Sequence, residues 1–418
     1  MVSFNTAQSW KDIYGARPGH KTFVKGEFYS GGSFAGIGTT SIISERRLEV
    51  HKQMRDYLSG AFSDRAILEQ EKIVTASVDD FIRLVGVLGS QIEWFNMSTT
   101  LQSLTCDITG DLSFGATFGA LKSEEPHPWI SVSLEAMTQG EIVDVLNRFA
   151  ILAKVLPVLM GSKLKKLTEN TKKNEELSYN AVQSRVARKT KRRNFLTRIL
   201  EDRDLSVVTD RAIAAHASDL VTAGSDTTAT TLAAALYYLL QDDSSSTTTT
   251  TMSRLTSEIR NVFNSYADIT YSSTASLPYL RAVILEALRL YPPVPIGPPR
   301  VVPDGGDTVD GIFPRAKHEP HRRLPIPRRT STTHGPSNQN DGSNQTQTPS
   351  TTTTTTTATS TAAKPFSLGP RRCMGRNLAC FASTCAPPSP SSSGRTTSEL
   401  AADAHTVEEA GLDGSRYE

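Results

Sequence analysis

Apolar residues recur at three- and four-residue spacing between Glu45 and Leu240, which is the period of an amphipathic helix. Two segments of this kind are SERRLEVHKQMRDYLSGAFS and EKIVTASVDDFIRLVGVL, and two longer ones are ISVSLEAMTQGEIVDVLNRFAILAKVLPVLM and DRAIAAHASDLVTAGSDTTATTLAAALYYLL. Patterns typical of strands are few, and the best is RVVPDGGDTVDGIFP, where a Gly-Gly turn separates two short β-branched runs. The pattern therefore predicts a mainly α fold with a small β element.

Three stretches lack any such pattern. The run SSSTTTTT, Ser244–Thr251, interrupts a connection between helices, and TPSTTTTTTTATSTAAK, Thr348–Lys364, follows a segment rich in Pro, Arg, Asn and Gln. After Phe381 the chain becomes Ser- and Pro-rich and loses the helical period. Because such compositions cannot bury enough apolar surface to form a core, we predict that these stretches are disordered.

Charge and cysteine content limit the class of protein. The formal net charge of +2 gives no reason to expect nucleic-acid binding. Of the four cysteines, three are crowded late in the chain, which does not suit a disulfide-stapled secreted protein and favours a reducing compartment. The N-terminal stretch MVSFNTAQSWKDIYGARPGH contains neither the apolar run of a signal peptide nor the longer one of a membrane anchor.

A long apolar segment, residues 220–240, contains a single charged residue, Asp226. Its threonines and its central acid suit a helix that crosses a protein interior better than one that spans a membrane. The small residues Ala223 and Gly224 permit a close approach to the backbone, and Asp226 places a carboxylate beside the Thr227 hydroxyl. The motif AGSDTT is therefore either a proton relay facing a cavity or a helix with a satisfied buried carboxylate, and these six residues leave both alternatives open.

The segment LPYLRAVILEALRLYPPVP predicts a helix that ends before its Pro-Pro pair. Glu286 and Arg289 lie three residues apart on this helix, so they share a face and can form an ion pair. An exposed pair of this kind contributes roughly 0.5 kcal/mol to stability. A buried pair needs further partners to offset the loss of hydration.

Four further cationic residues form a second candidate set. His51 and Arg55 share one face of the predicted EVHKQMRDYL helix, because they are four residues apart. Together with Arg300, which follows GPP, and Arg371, they could neutralise a dianionic ligand held in the core. The alternative for each residue taken alone is a solvated surface position.

The stretch FSLGPRRCMG sets Cys373 between Gly369 and Gly375, with Arg371 two residues away. A zinc site would need more ligands at short spacing, and the later cysteines lack a C-x-x-C element. A nucleophile would need a histidine and an orienting acid, which no local pattern supplies. An axial haem ligand fits best, because a tight glycine loop and a following helix can keep the sulfur as a thiolate while Arg371 meets a propionate.

In the order and spacing of these motifs, the chain resembles the cytochrome P-450 family, of the fungal secondary-metabolism type. FSLGPRRCMG matches the family's haem loop, F-x-x-G-x-R-x-C-x-G, at every fixed position. AGSDTT matches its oxygen-activation helix, EALR its E-x-x-R helix, HKQMR its propionate-contacting helix and PPRVVPDGGDTVDGIF its substrate-side strands. The resemblance covers about Phe4–Phe313 and Lys364–Leu378, and it implies the helix-rich cytochrome P-450 fold with small β-sheets, incomplete at both ends.

The resemblance also implies roles for individual residues. Cys373 would be the axial thiolate ligand of haem b, with Phe366 packed beside the sulfur. Asp226 and Thr227 would deliver protons during the activation of O2. The other residues implied to contact the haem are His51, Arg55, Ala223, Arg300, Gly369, Arg371 and Gly375.

The reaction implied by the resemblance is insertion of one oxygen atom of O2 into a lipophilic organic substrate. Electrons would come from NADPH through a membrane-bound NADPH–cytochrome P-450 reductase. The substrate pocket would involve Ala223, Gly224 and the loop around Phe28–Phe34. A full-length member is expected on the cytosolic face of the endoplasmic reticulum membrane, whereas this sequence shows no transmembrane segment. Two alternatives are a family member that catalyses desaturation or rearrangement, and a non-catalytic, haem-free remnant.

The implied organisation has four parts. These are a cytochrome P-450 domain at 1–314, a low-complexity, disordered segment at 315–363, the haem-binding loop with the start of the next helix at 364–381, and a disordered non-family tail at 382–418.

Two features of the family are not found in this sequence. No P-E-R-W type motif, whose arginine would complete the network of Glu286 and Arg289, occurs before the cysteine loop, and no long apolar helix follows it. The family's membrane anchor, first strands and first helix are expected ahead of Met1 and are also not found. We hypothesise that the divergent regions were read out of frame, in an imperfect gene model or a decaying gene.

Overall fold

The computed structural model describes residues 2–31, 39–91, 94–123, 127–132, 161–188, 194–204, 208–243, 250–314, 320–322 and 364–385, with five single positions between 135 and 155. The chain forms two compact units. Unit 1 consists of Met1–Phe23 and Val294–Cys373, and unit 2 of Val24–Pro293 and Met374–Glu418. Each unit combines two separate stretches of the chain, so the units do not test the domain boundaries expected from the sequence, and these stay a prediction.

Helices dominate the described residues. Their bounds in chain order are α1 Ala7–Tyr14, α2 Phe28–Gly31, α3 Leu48–Ser59, α4 Asp64–Gln91, α5 Met97–Phe114, α6 Gly161–Ala187, α7 Phe195–Asp202, α8 Asp210–Asp243, α9 Thr251–Val262, α10 Tyr271–Thr274, α11 Pro278–Leu290 and α12 Arg376–Cys385. The strands are β1 Val2–Phe4, β2 Val24–Lys25, β3 Arg300–Val301 and β4 Pro320–Arg322. Short 3₁₀ turns cover Gly60–Phe62, Ala120–Lys122, Tyr266–Asp268 and Gly369–Arg371.

Unit 1 is built on α1 and a small parallel pair of strands. Thr6 caps α1 by accepting a hydrogen bond from the Ser9 amide. β1 pairs with β4 in parallel, with Val2 opposite Pro320. The apolar core contains Phe4, Trp10, Ile13, Tyr14, Phe23, Val302 and Val309. α1 thus presents one apolar face to this core, which fixes the position of its last residue, Tyr14.

Unit 2 is built around α8, which packs along α5 and α6. α5 begins at the Asn96 cap and ends at Gly115, which adopts a φ of 77° that favours glycine. One apolar cluster includes Leu104, Leu112, Ala229 and Phe381, and a second includes Leu58, Leu196, Ile213 and Ala217. The predicted mainly α fold is confirmed, and α8 contains the whole apolar segment singled out in the sequence.

The prediction of disorder for Ser244–Thr251 is wrong for the last residues of this run. The Thr250 side chain accepts a hydrogen bond from the Ser253 amide and caps α9, which begins at Thr251. A threonine hydroxyl satisfies an otherwise unpaired helix amide, so the last residues of this run start a helix. Residues 244–249 lie outside the described residues.

The small β element also differs from the prediction. Gly305 and Gly306 both adopt positive φ, as a Gly-Gly turn requires, but the bridge in this segment joins Val309 to Ile312 rather than the runs on either side of the glycines. β4 lies inside the range 315–363, and the rest of that range is outside the described residues.

The helix after the cysteine loop, α12, continues to Cys385, four residues beyond the predicted loss of helical period at Phe381. Residues 386–418 lie outside the described residues, as does most of the predicted helical segment at 130–160. Among the described residues, none of the helices combines the length and the apolar content that crossing a membrane requires.

Candidate haem-binding site

The cysteine loop of unit 1 is a tight turn held by its own backbone. The Cys373 amide donates to the Phe366 carbonyl oxygen at 2.9 Å, and the Ser367 amide donates to the Lys364 carbonyl oxygen at 2.9 Å. Ser367 and Gly369 both have left-handed backbone, with φ of 58° and 70°. Cys373 itself is exposed. The loop therefore presents the cysteine outward on a fixed backbone.

Gly369 and Gly375, which the sequence motif treats alike, have different structural roles. A Cβ added to Gly369 would lie 2.0 Å from the carbonyl oxygen of Tyr14, so only glycine fits against the end of α1. A Cβ added to Gly375 meets no described atom within 4 Å. The structure thus gives a packing reason for Gly369 and none for Gly375.

Arg300 and Arg371 line one small cavity of unit 1 together with Tyr14. Arg300 is buried, donates to the Pro299 carbonyl oxygen at 3.1 Å, and lies 5.1 Å from the centre of the Tyr14 ring. Two guanidinium groups beside one cavity favour an anionic group there, because a carboxylate accepts from both. Unit 1 therefore contains the types of donor group that suit a haem, a thiol for its iron and guanidinium groups for its carboxylates.

The AGSDTT motif lies in the middle of α8, in unit 2. Ala223 is exposed there, although α8 is the core helix of its unit. Gly224 packs against Thr109 of α5 so closely that an added Cβ would lie 2.9 Å from the Thr109 Oγ1. The Thr227 hydroxyl donates to the Ala223 carbonyl oxygen at 2.7 Å. The motif thus combines close packing on one side of α8 with an open position at Ala223.

Asp226 is partly buried beside α5. Its Oδ1 accepts a hydrogen bond from the Gln102 amide nitrogen at 3.4 Å. Burial raises the pKa of the Asp226 carboxyl above its ordinary value. A raised pKa lets this carboxyl take up and release a proton closer to neutral pH, which is what a proton relay needs.

α3 carries the two cationic residues at four-residue spacing. His51 is buried with Met54 and Leu58, whereas Arg55 is partly exposed. The solvated-face alternative therefore does not hold for His51. His51 therefore lies on the buried face of α3 with Met54 and Leu58.

Glu286 and Arg289 form the ion pair that their spacing predicts. Arg289 donates from Nε to one Glu286 oxygen at 2.8 Å and from Nη2 to the other at 2.6 Å. The Glu286 side chain is 53% exposed and that of Arg289 29% exposed. The Glu286 carboxylate raises the pKa of Arg289 further. Because the pair is largely hydrated, it does not carry the cost of a buried pair without a third partner.

The candidate residues divide between the two units. Unit 1 contains Arg300, Phe366, Gly369, Arg371 and Cys373, and unit 2 contains His51, Arg55, Ala223, Asp226, Thr227, Glu286, Arg289 and Gly375. Sequence reasoning missed Tyr14, which borders the arginine cavity, and Gln102, which contacts Asp226. No motif signals either residue. Tyr14 shares an amphipathic helix with Trp10, and Gln102 occurs in a helix of ordinary composition.

An exposed cysteine on a tight loop, with arginines at a cavity of the same unit, is the arrangement expected of a haem-thiolate protein. The family model for cytochrome P-450 matches residues 11–314. The solved haem domain of cytochrome P-450DA has a similar fold, with a TM-score of 0.66, 18% identity, and coverage of 87% of this chain and 76% of that one. Among the described residues, no three His, Cys, Asp or Glu side chains gather where they could hold a metal ion.

Several fungal proteins are more similar to this chain in sequence than that haem domain is. Cytochrome P-450 monooxygenase ORF11 of Penicillium roqueforti is 40% identical over 384 residues, which is 90% of this chain and 76% of that protein. Cytochrome P-450 monooxygenase BipB of Cochliobolus sativus is 36% identical over 90% of this chain and 73% of its own length. The trichothecene C-4 hydroxylase of Trichoderma arundinaceum is 34% identical over 90% and 74%. This chain belongs to the cytochrome P-450 family, and it is by that membership an oxidoreductase of the haem-thiolate type.

Proposed function

We propose that this chain is a haem-thiolate monooxygenase that inserts one oxygen atom of O2 into a lipophilic organic substrate in fungal secondary metabolism. The observation that carries the proposal is the exposed Cys373 on a loop whose geometry requires Gly369. Similarity to enzymes named monooxygenases and to a named hydroxylase supports the type of reaction. The substrate is bordered in this proposal by Ala223, the exposed small residue of α8.

When bound, haem b supplies the redox chemistry that activates O2. Cys373 would ligate its iron as a thiolate, and Phe366 would pack beside the sulfur. Arg300 and Arg371 would bind its carboxylates at their shared cavity. His51 and Arg55 of α3 complete the proposed set of cations.

Asp226 and Thr227 would hold and transfer the protons that reduction of O2 consumes. The raised pKa of the partly buried Asp226 suits repeated uptake and release of a proton. The Thr227 hydroxyl donates to the Ala223 carbonyl oxygen one turn earlier, so it can donate to another group only after that hydrogen bond breaks. The two groups would then share a proton path along one side of α8.

Electrons would reach this site from NADPH through an NADPH–cytochrome P-450 reductase. A full-length form would work at the cytosolic face of the endoplasmic reticulum membrane, where such a reductase and lipophilic substrates meet. Within the chain, we propose residues 364–381 as the haem-binding segment that completes the domain at 1–314.

The reduced, carbon-monoxide difference spectrum of the full chain supplied with haem tests this proposal. Thiolate ligation gives a strongly red-shifted Soret band, which we expect in the wild type and not in Cys373→Ser. The matched control is Cys380→Ser, because burial raises the pKa of the Cys380 thiol and keeps it neutral. No haem binding by the wild type would instead identify a haem-free remnant. With thiolate ligation established, product analysis separates oxygen insertion from desaturation or rearrangement.

A further inference from the structure

The first half of α8 carries two buried titratable side chains that the proposed reaction does not use. His216 and Asp219 are each 1% exposed. They lie three residues apart on one side of α8. Ala223 and Asp226 lie on the same side of this helix, one to three turns closer to its C-terminus. Buried groups of this kind need partners, and their partners lie in α3 and in the segment just before it.

His216 binds two different parts of unit 2. The Ile42 amide donates to its Nδ1 at 3.1 Å, and its Nε2 is hydrogen-bonded to the Tyr57 hydroxyl. Since Nδ1 accepts, the neutral ring carries its proton on Nε2 and donates that proton to Tyr57. Ile42 lies before α3 and Tyr57 lies within it, so the imidazole ties both to α8.

Asp219 and Lys25 satisfy the remaining backbone groups at Ile42 and Ile43. The Ile43 amide donates to Asp219 Oδ2 at 3.1 Å. The Lys25 ammonium donates to both the Ile42 and the Ile43 carbonyl oxygens. All four polar backbone groups of these two residues are therefore bound by side chains. We call this arrangement of Lys25, His216 and Asp219 the clamp.

The titratable groups of the clamp are costly to bury, as their pKa values show. Burial lowers the pKa of His216 to about 4. Burial also raises the pKa of Asp219 to about 7, against the opposing effects of Ser41, the Ile43 amide and Lys25. Among the described residues, charged or titratable groups beside the clamp include Tyr57, whose pKa burial raises to about 12, and Tyr29, whose ring centre lies 5.0 Å from the Lys25 Nζ. Arg46 donates to the Lys25 carbonyl oxygen, and Glu45 is paired with Arg47.

Hydrogen bonds to backbone groups require a set distance and angle between donor and acceptor, so they fix one register between the elements that they join. α3 carries His51 and Arg55, and α8 carries Asp226 and Thr227. The clamp binds the segment that precedes α3 through Ile42 and Ile43, and it binds α3 itself through Tyr57. It therefore sets the relative position of the helix with the haem-contacting cations and the helix with the acid–hydroxyl pair.

We propose that His216 and Asp219 are positioning residues that fix α3 against α8 and thereby stabilise haem binding; the haem part of this inference rests on the proposed function. The perturbation is His216→Phe, which keeps a ring but removes both hydrogen bonds. Tyr57→Phe is a milder second variant that removes one hydroxyl and adds no bulk. The matched control is Ser218→Ala, which removes a buried hydrogen bond between α8 and Asn174 of α6 at 2.9 Å.

Two quantities are measured on the full chain: hydrogen exchange of the Ile42, Ile43 and α3 amides, and the rate of haem transfer to excess apomyoglobin. His216→Phe should raise both rates at least about tenfold, since it leaves the buried Ile42 amide without its acceptor. Tyr57→Phe should raise them about threefold, and Ser218→Ala should leave both within about twofold of wild type.

If the α3 amides of His216→Phe exchange hydrogen at the wild-type rate, the clamp does not fix α3 and the proposal is overturned. Faster exchange with an unchanged rate of haem loss would overturn its role in haem binding. If the wild-type chain holds no thiolate-ligated haem, the proposed function fails, and exchange in the haem-free chain still decides whether the clamp fixes α3.

Discussion

Replacing Gly369 by alanine should disrupt the cysteine loop, and the structure gives the cost in two parts. Gly369 has a φ of 70°, and another L-residue in this left-handed region costs about 1–2 kcal/mol. The new Cβ would lie 2.0 Å from the Tyr14 carbonyl oxygen, where real contacts are essentially never below 3.0 Å. Moving the loop or α1 apart against close packing costs about 1–3 kcal/mol more. We therefore expect the free energy of unfolding of unit 1 to fall by about 3 kcal/mol.

The assay is urea unfolding of the haem-free chain, combined with hydrogen exchange of the Cys373 amide, which donates to Phe366 in the intact loop. The matched control is Gly375→Ala, because its Cβ meets no described atom and its φ is not positive. We expect that control to change the free energy of unfolding by less than about 0.5 kcal/mol. Equal stability of the two variants, with wild-type exchange at Cys373, would refute the argument that Gly369 is held against α1.

Four further predictions concern unit 2. In Asp219→Asn, stability should be full above pH 6.5 and fall by about 3 kcal/mol towards pH 4, because the unfolded chain protonates histidine at 6.5 whereas the folded His216 does so only at about 4. His216→Gln should show the opposite slope, with stability greatest below pH 3.8 and lost as pH rises through about 7, since the folded Asp219 retains its proton longer than the unfolded chain does. Urea unfolding across pH measures both, and parallel slopes would contradict these assignments. Asp226→Asn should keep the haem spectrum but lower product formation at least about tenfold and divert NADPH electrons to hydrogen peroxide; unchanged coupling of NADPH to product would remove Asp226 from the proton path. Glu286→Gln should cost less than about 1 kcal/mol in thermal unfolding, since the pair with Arg289 is hydrated, and a loss above about 3 kcal/mol would mean that the pair is buried by a further partner.

The local features of the candidate site could be predicted from the sequence. The spacing of Glu286 and Arg289 fixes them on one helical face, and their ion pair forms as predicted. The apolar run around Asp226 forms part of the long helix α8, which packs along α5 and α6. The cysteine loop could be predicted because its glycine and cysteine occur at fixed intervals in a short stretch. Each of these depends on residues a few positions apart, for which the backbone geometry is set by the local chain.

What the sequence did not determine are contacts between residues far apart in the chain. The prediction of disorder is wrong at the end of the Thr run, where Thr250 caps α9. Whether a threonine caps a helix depends on where that helix packs.

The tertiary structure alone decided three features of this protein. It placed the Tyr14 carbonyl against Gly369, it brought Gln102 to Asp226, and it closed the clamp of Lys25, His216 and Asp219 around Ile42 and Ile43. The sequence by itself determined the mainly α fold and the family. It could not determine these contacts, because each joins groups whose approach depends on how whole helices pack, and no periodic pattern along the chain records that packing.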